Sequence, residues 1–224
     1  MNTIRFQTAL EMAQAADSWC RDQIEKLDAR SMFLPAGNTP VTLYSLWQAN
    51  PPEYLRRVRL TQLDEVWDKG KGPLPVERGG GPDEAARAAP GRFHQFFERV
   101  LPFYAPRIQA PGAKTRQGAD LAVLGLGPNG HIAFHEPGLE PTFRQGEVQL
   151  SKATCRGLGL EHPHWAVTYG IGAFMECRAL LLMVSGEGKG EAVAALGRGD
   201  PRYPVGHLRH HPDLTVLLGP GYDL

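Results

Sequence analysis

Short apolar segments alternate with helical segments along the whole chain, and this alternation limits the possible folds more than any other feature. Short continuous apolar runs bounded by turns are typical of buried strands, and we predict strands at 31–34, 58–63, 121–126, 165–169, 179–184 and 214–217. Strands that alternate with helices form mainly parallel sheets that are covered on both faces. We therefore predict an α/β fold with three αβα layers, built on a Rossmann-like, mainly parallel twisted sheet with helices on both faces.

Helices are predicted between these strands. Residues 7–28 carry apolar side chains at helical spacing among polar ones, which indicates an amphipathic helix. Further helices are predicted at 41–47, 91–101 and 188–196. Thr39 is expected to cap the helix whose first position is Pro40. The segment 69–90 is rich in Gly, Pro and Lys and has no periodic pattern, so we predict a mobile loop there.

Length, charge and cysteine content exclude several classes of protein. A chain of 224 residues fits one domain, which we predict to span 1–224. Its 24 Lys and Arg balance 24 Asp and Glu, so no overall field would attract nucleic acid or an anionic membrane. No apolar run is long enough to span a membrane, and no signal peptide is evident. The three cysteines are widely spaced, as expected in a reducing compartment. We expect a cytoplasmic protein.

One segment, 121–138, carries a dense group of polar side chains. It has the sequence LAVLGLGPNGHIAFHEPG, in which a buried strand leads into a glycine turn that presents Asn129, His131, His135 and Glu136. Such a turn lies at the strand's carboxyl end, where parallel sheets bind ligands. A single His is more often a core residue, but a His beside an amide and a carboxylate can be held in one tautomer and exchange protons near neutral pH. The glycines lack the spacing of a dinucleotide-binding turn, so no nicotinamide cofactor is expected.

This turn resembles the signature of the glucosamine-6-phosphate deaminase/isomerase family, which runs Gly-x-Gly-x-Asp/Asn-Gly-His-Ile-Ala/Gly-Phe-Asn-Glu-Pro. The wider superfamily also contains 6-phosphogluconolactonase. Three further segments resemble family motifs in the same order along the chain: the phosphate loop at 34–44, the Asp-Glu segment at 63–67, and the strand, turn and lysine at 166–193. The resemblance therefore covers most of the chain.

The resemblance implies roles for individual residues. His131 is expected to open the sugar ring by moving a proton between the ring oxygen and the anomeric hydroxyl, with Asn129 and Glu136 orienting its imidazole. Asp64 is expected to move a proton from C2 to C1; without the resemblance, it would be an ordinary cap after a strand. These steps need no metal and no organic cofactor, and none is expected. The implied reaction converts glucosamine 6-phosphate, or galactosamine 6-phosphate, into the ketohexose 6-phosphate and ammonia.

A phosphate site is predicted at the turn before the helix at 41–47, because backbone amides at a helix N-terminus point towards a bound anion. We expect the phosphate to be bound by Gly37, Asn38, Thr39 and Lys189, with Arg156 as a second cationic contact suggested by the resemblance. Asn38 replaces the second glycine of the family's loop, and His135 replaces the asparagine before its glutamate.

Two other functions remain open from the sequence. Lactonases of the superfamily usually continue the Gly-His turn with Ala-Ser-Leu-Phe-Pro and place Arg after Asp-Glu, whereas this chain has Ile132 to Pro137 and Val66. A non-catalytic sugar-phosphate sensor would carry a DNA-binding module, and no helix-turn-helix is evident. The expected partner is a small sugar phosphate, with no nucleic acid and no membrane, and the sequence leaves the oligomeric state open.

Overall fold

The computed structural model describes residues 1–66, 92–111 and 118–224. The predicted loop at 69–90 lies outside these residues. The strands are β1 (Asn2–Arg5), β2 (Ser31–Leu34), β3 (Arg59–Gln62), β4 (Asp64–Val66), β5 (Ile108–Gln109), β6 (Leu121–Gly125), β7 (Gln145–Gln149), β8 (Trp165–Tyr169), β9 (Ala179–Val184) and β10 (Leu214–Leu218). The helices, numbered in chain order, are α1 (Ala9–Leu27), α2 (Val41–Ala49), α3 (Arg92–Val100), α4 (Lys152–Gly157), α5 (Ile171–Phe174), α6 (Gly190–Arg198) and α7 (Pro204–His207).

Seven strands form one parallel sheet in the order β1-β10-β9-β6-β2-β3-β5. The predicted α/β class and the parallel sheet are confirmed. The central strands are buried along their length, as expected for parallel strands covered on both faces.

The side chains of the central strands alternate between two hydrophobic cores. In β9, Leu181 and Met183 pack into the core that contains α1, α2 and α3, whereas Leu180, Leu182 and Val184 pack into the core with α5, α6 and α7. This alternation follows from the two-residue repeat of a strand. Helices therefore cover both faces of the sheet, as predicted.

A small antiparallel sheet, in the order β4-β8-β7, accompanies the parallel sheet. The sequence predicted 165–169 as a strand, but it gave no sign that β8 would pair with β4 and β7 outside the main sheet. The chain leaves the main sheet at Leu63, directly after β3, and its next residue, Asp64, pairs with Thr168 of β8. The strand predicted at 58–63 corresponds to β3, and β4 is a further strand that directly follows it and was not predicted.

The carboxyl ends of β2 and β6 mark the switch point of the main sheet. From β2 the strand order continues through β3 to β5, and from β6 it continues through β9 to β10 and β1. The two chain segments that leave these neighbouring strands therefore diverge and open a crevice at the sheet edge. The segments that border this crevice are the predicted phosphate loop and the predicted catalytic turn.

Candidate active site

A cavity of about 280 Å³ lies at this switch point. Its lining combines the loop after β2, the start of β4, the turn after β6 and the residue before α6. Six of the residues predicted from sequence line this one cavity: Gly37, Asn38, Thr39, Asp64, His131 and Lys189 are all present. Asn129 and Glu136 do not line it, but they contact His131.

In the turn after β6, the imidazole of His131 packs against the backbone of Gly127. The Gly127 amide donates to the His131 carbonyl at 3.0 Å, and the Gly130 amide donates to the Gly127 carbonyl at 3.0 Å. A Cβ on Gly127 would lie 2.3 Å from Nε2 of His131, so only glycine allows the imidazole to pack there. Gly130 has a φ of +81°, which also favours glycine.

Glu136 and Asn129 surround the inner side of His131. Nδ1 of His131 lies 3.9 Å from Oε2 of Glu136, and the Asn129 side-chain amide donates to the same Oε2 at 2.8 Å. The His131 amide donates to Oδ1 of Asn129 at 3.3 Å, which ties the two residues together. The Ser151 amide donates to Oε1 of Glu136 at 3.3 Å. Both carboxylate oxygens of Glu136 therefore accept a hydrogen bond.

The surroundings of His131 favour the neutral form of its imidazole. Burial lowers the pKa of His131, the nearby ammonium of Lys189 lowers it further, and the carboxylate of Glu136 acts to raise it. Because Nδ1 lies on the Glu136 side, Nε2 is the nitrogen available to a molecule in the cavity. A neutral imidazole can accept a proton at one nitrogen and return it.

Asp64 is the first residue of β4 and lines the same cavity with only 6% of its surface exposed. Burial raises the pKa of Asp64 well above its usual range, and the neighbouring charge of Glu65 adds to the rise. A carboxyl group with a raised pKa is a stronger base when ionised. The cavity thus combines an imidazole whose pKa is lowered with a carboxyl group whose pKa is raised.

The loop after β2 borders one end of the cavity. Gly37 has a φ of +104° and open space where a Cβ would be, so the backbone there is free to approach a ligand. The hydroxyl of Ser185 donates to Oγ1 of Thr39 at 3.3 Å. Burial lowers the pKa of the Lys189 ammonium, and a bound anion would offset that cost.

A family model described as Glucosamine-6-phosphate isomerases/6-phosphogluconolactonase matches residues 5–217. The chain belongs to this family. The resemblance predicted from the sequence motifs is confirmed.

Individual relatives agree with this assignment. A glucosamine-6-phosphate deaminase of Bacillus thuringiensis (strain Al Hakam) is 28% identical over 243 residues, which cover 97% of this chain and 86% of that protein. A glucosamine-6-phosphate deaminase of Bacillus velezensis is 38% identical over 113 residues, 47% of each chain. A monomeric glucosamine-6-phosphate deaminase of the NagB superfamily superposes with a TM-score of 0.76 at 24% identity and covers 98% of both chains. A 6-phosphogluconolactonase from Trypanosoma brucei superposes with a TM-score of 0.70 at 17% identity, over 97% of this chain and 95% of that one. The two superpositions support the fold.

Two family-motif residues differ from their sequence-based interpretation. His135 does not line the cavity: it is buried, and its Nδ1 accepts a hydrogen bond from the Ile171 amide at 3.2 Å. Burial lowers the pKa of His135 to about 4, so it is a neutral core residue. Thr39 does not cap α2 as predicted, because Pro40 takes the N-cap position without a side-chain bond. Its hydroxyl contacts Ser185 instead.

Arg156 is exposed on α4 and is not among the residues that line the cavity. Its proposed phosphate contact therefore has no support in this arrangement. Sequence reasoning missed the apolar lining residues Phe93, Phe134 and Leu158. Of these three residues, only Phe134 belongs to the motif at 121–138, so the sequence offered a reason to consider that residue alone.

A larger cavity of about 620 Å³ lies between α1, α2 and residues 53–57. None of the predicted site residues lines it, so its size does not make it the better candidate. In the described ranges, no group of three or more His, Cys, Asp or Glu side chains is placed to hold a metal ion. No helix in the same residues is long and apolar enough to cross a membrane.

Proposed function

We propose that this protein converts a hexosamine 6-phosphate and water into the ketohexose 6-phosphate and ammonia. One observation carries the proposal: Asp64 and His131 line the same cavity as the loop at 36–39 and Lys189. This reaction requires a proton acceptor for carbon, an amphoteric group for the ring and an anion site, and side chains that could supply each of them line one crevice. Membership of the family adds that the substrate is a sugar phosphate.

His131 would open the sugar ring. Its Nε2 takes the proton from the anomeric hydroxyl and gives a proton to the ring oxygen, so that the C1–O5 bond breaks and an open-chain aldehyde forms. The imidazole must carry the proton only briefly, which fits its lowered pKa. Glu136 lies 3.9 Å from Nδ1 and stabilises the transient imidazolium.

Asp64 would then move a proton between carbons. Its carboxylate takes the proton from C2 and returns it to C1, while a proton passes from the amino nitrogen to O1, which together convert the amino aldehyde into the imine of the ketose. Water adds to C2 of this imine, and ammonia leaves. A substrate ammonium near Asp64 favours the ionised carboxylate that this step requires.

The phosphate would bind at the loop after β2. The backbone at 36–39 precedes the nine-residue helix α2, whose N-terminus favours negative charge. Thr39 offers its hydroxyl, and Lys189 supplies a positive charge. This end of the cavity would fix the sugar so that C1 and C2 lie near Asp64 and His131.

A substrate panel tests the proposal. Purified protein is incubated in parallel with glucosamine 6-phosphate, galactosamine 6-phosphate and 6-phosphogluconolactone, and ammonia and acid release are measured. We expect ammonia from at least one of the two amino sugars. Hydrolysis of the lactone without ammonia from either amino sugar would contradict the proposal and favour the lactonase that shares this family.

A further inference from the structure

Glu65, the neighbour of Asp64, is a carboxylate that the proposed reaction does not use. It has no exposed surface. Its Oε1 accepts hydrogen bonds from the amides of Val66 at 3.0 Å and Phe93 at 2.9 Å. Its Oε2 accepts from the Gln62 side chain at 3.1 Å and from the His94 amide at 3.0 Å. Burial of a charged group is costly, and four hydrogen bonds compensate for that cost here.

The four donors indicate which form of Glu65 is present. A carboxylate has about four lone-pair positions, and here each oxygen already accepts two hydrogen bonds. A proton on Oε1 would displace a backbone amide, and a proton on Oε2 would require the Gln62 side chain to turn from donor to acceptor. Burial raises the pKa of Glu65, while the bonds from Phe93, His94, Gln62 and Val66 act in the opposite direction. The contacts fit the ionised form.

Two of the four donors belong to the first turn of α3. Phe93 and His94 are the second and third residues of that helix, where amides have no partner within the helix. Glu65 supplies the partner and places a negative charge at the positive end of the helix. The position of α3 relative to β4 is therefore fixed through Glu65.

α3 in turn supplies a wall of the active-site cavity. Phe93 lines the cavity, and its ring stacks on Phe134 with centroids 5.7 Å apart. The Phe134 amide donates to Oγ1 of Thr168 at 3.0 Å, and Thr168 is the residue that pairs with Asp64. A continuous set of contacts thus joins Glu65 to the catalytic turn and back to β4.

We propose that Glu65 is a positioning residue of the active site, whose ionised carboxylate anchors α3 and Phe93 against the cavity and keeps a fixed negative charge beside Asp64. The effect on Asp64 rests on the proposed function, because it requires Asp64 to act as the base. The anchoring of α3 does not depend on it.

The other titratable groups around Asp64 act on its ionisation in different ways. Besides Glu65, the titratable groups that face this part of the site are Tyr44 of α2, His131 and Lys189 across the cavity, and His94 of α3, whose amide contacts Glu65. The pKa of Tyr44 is raised by burial and that of His131 is lowered by burial, so both favour their neutral forms, and a protonated Lys189 would favour ionised Asp64. Glu65 is the group that opposes ionisation of Asp64.

Glu65→Gln tests both parts of the proposal. The amide keeps the shape and removes the charge. With its NH2 at the Oε2 position, the His94 amide loses its acceptor, while Gln62, whose Oε1 has no partner among the described residues, can turn its side chain to accept the new N–H. Without the charge, the pKa of Asp64 falls, so the acidic limb of the kcat/KM profile moves to lower pH. We expect the ratio of acidic to neutral kcat/KM to rise several-fold while neutral kcat falls. Hydrogen exchange at Phe93 and His94 should become faster.

Three controls separate charge, anchoring and general damage. Glu147→Gln, an exposed change on β7 of the same small sheet, should alter neither the profile nor the exchange. Glu65→Asp keeps the charge but shortens the reach, so the acidic limb should stay in place while exchange at Phe93 becomes faster. Phe93→Ala should raise KM without moving the limb.

The outcomes distinguish this inference from the proposed function. If the unmodified protein releases no ammonia, the proposed function fails, and the exchange measurement still tests the anchor. An unchanged acidic limb in active Glu65→Gln, or unchanged exchange at Phe93 and His94, would overturn the inference. Should the variants fail to fold, carboxyl NMR of the unmodified protein decides: Glu65 must be ionised at neutral pH, and a protonated Glu65 refutes the account.

Discussion

Replacing Gly127 by alanine would displace the imidazole on which the proposed reaction depends. The new Cβ would lie 2.3 Å from Nε2 and Cε1 of His131 and 2.5 Å from its Cδ2. To reach an ordinary van der Waals contact of 3.4 Å, the ring must move by about 1 Å. A displacement of this size at a reacting group costs about 100-fold in rate.

The same change should cost stability as well as rate. Overpacking of a buried site costs about 1–3 kcal/mol, and we expect the free energy of unfolding to fall within that range in a urea titration. Ammonia release from the preferred hexosamine 6-phosphate would be measured in parallel, under conditions where Gly127→Ala is fully folded. The imidazole resonances of His131 should shift, which reports the displacement without any substrate.

Gly157→Ala is the matched control for this experiment. Gly157 ends the short helix α4, and a Cβ there would meet no atom within 4 Å. We expect near-normal activity, stability and His131 resonances. Equal effects of the two changes, or Gly127→Ala with normal turnover and unshifted His131 resonances, would refute the reasoning.

Four further predictions follow from the site. Asp64→Asn should abolish ammonia release but leave sugar-phosphate binding largely intact by calorimetry, because the proton acceptor is lost while the phosphate contacts remain; normal turnover would show that Asp64 is not the base. Lys189→Met should raise KM about 10-fold or more, since a hydrogen bond to a charged group is worth about 1.5–3 kcal/mol, whereas exposed Lys152→Met should not. Arg156→Ala should change kcat/KM by less than about twofold, because surface changes away from a site have small effects; a large rise in KM would restore it to the phosphate site. The pKa of His135 is depressed to about 4 from an ordinary value of 6.5, so the unfolded chain is protonated first and the free energy of unfolding decreases as the pH is lowered from 6.5 towards 4. Thermal melts of His135→Asn should therefore show a smaller loss of stability in acid, and an equal loss in both proteins would contradict this.

Five strands of the main sheet, β2, β3, β6, β9 and β10, could be predicted because they are local apolar runs, whereas the edge strands β1 and β5 were missed because they are short and largely exposed or only two residues long. Residues 31–34 and 179–184 match β2 and β9 at both ends, since strands buried on both faces are continuous apolar runs. The small antiparallel sheet could not be predicted. β7 has the sequence QGEVQ, with a single buried residue, and β4 is only three residues long. Their pairing depends on contacts distant in sequence, which no local pattern contains.

The candidate site also contains residues that could be predicted from the sequence and residues that could not. Asn129, His131 and Glu136 lie within one turn, and the structure brings them together as their spacing suggested. Asp64, Thr39 and Lys189 were named through motif resemblance, and the topology brings them to one cavity. Phe93 was missed because its position depends on Glu65, 28 residues earlier in the chain. His135 was grouped with the polar side chains of the turn, but a motif does not say which side of the chain faces the core, and the structure buries it.

The most direct test of the account compares ammonia release by the unmodified protein, Asp64→Asn and His131→Gln, with ketohexose 6-phosphate measured in the same samples. The account predicts equal amounts of the two products from the unmodified protein and loss of both products in each variant, with all three proteins folded. Normal product formation by either variant, or no ammonia from the unmodified protein with either hexosamine 6-phosphate, would contradict it.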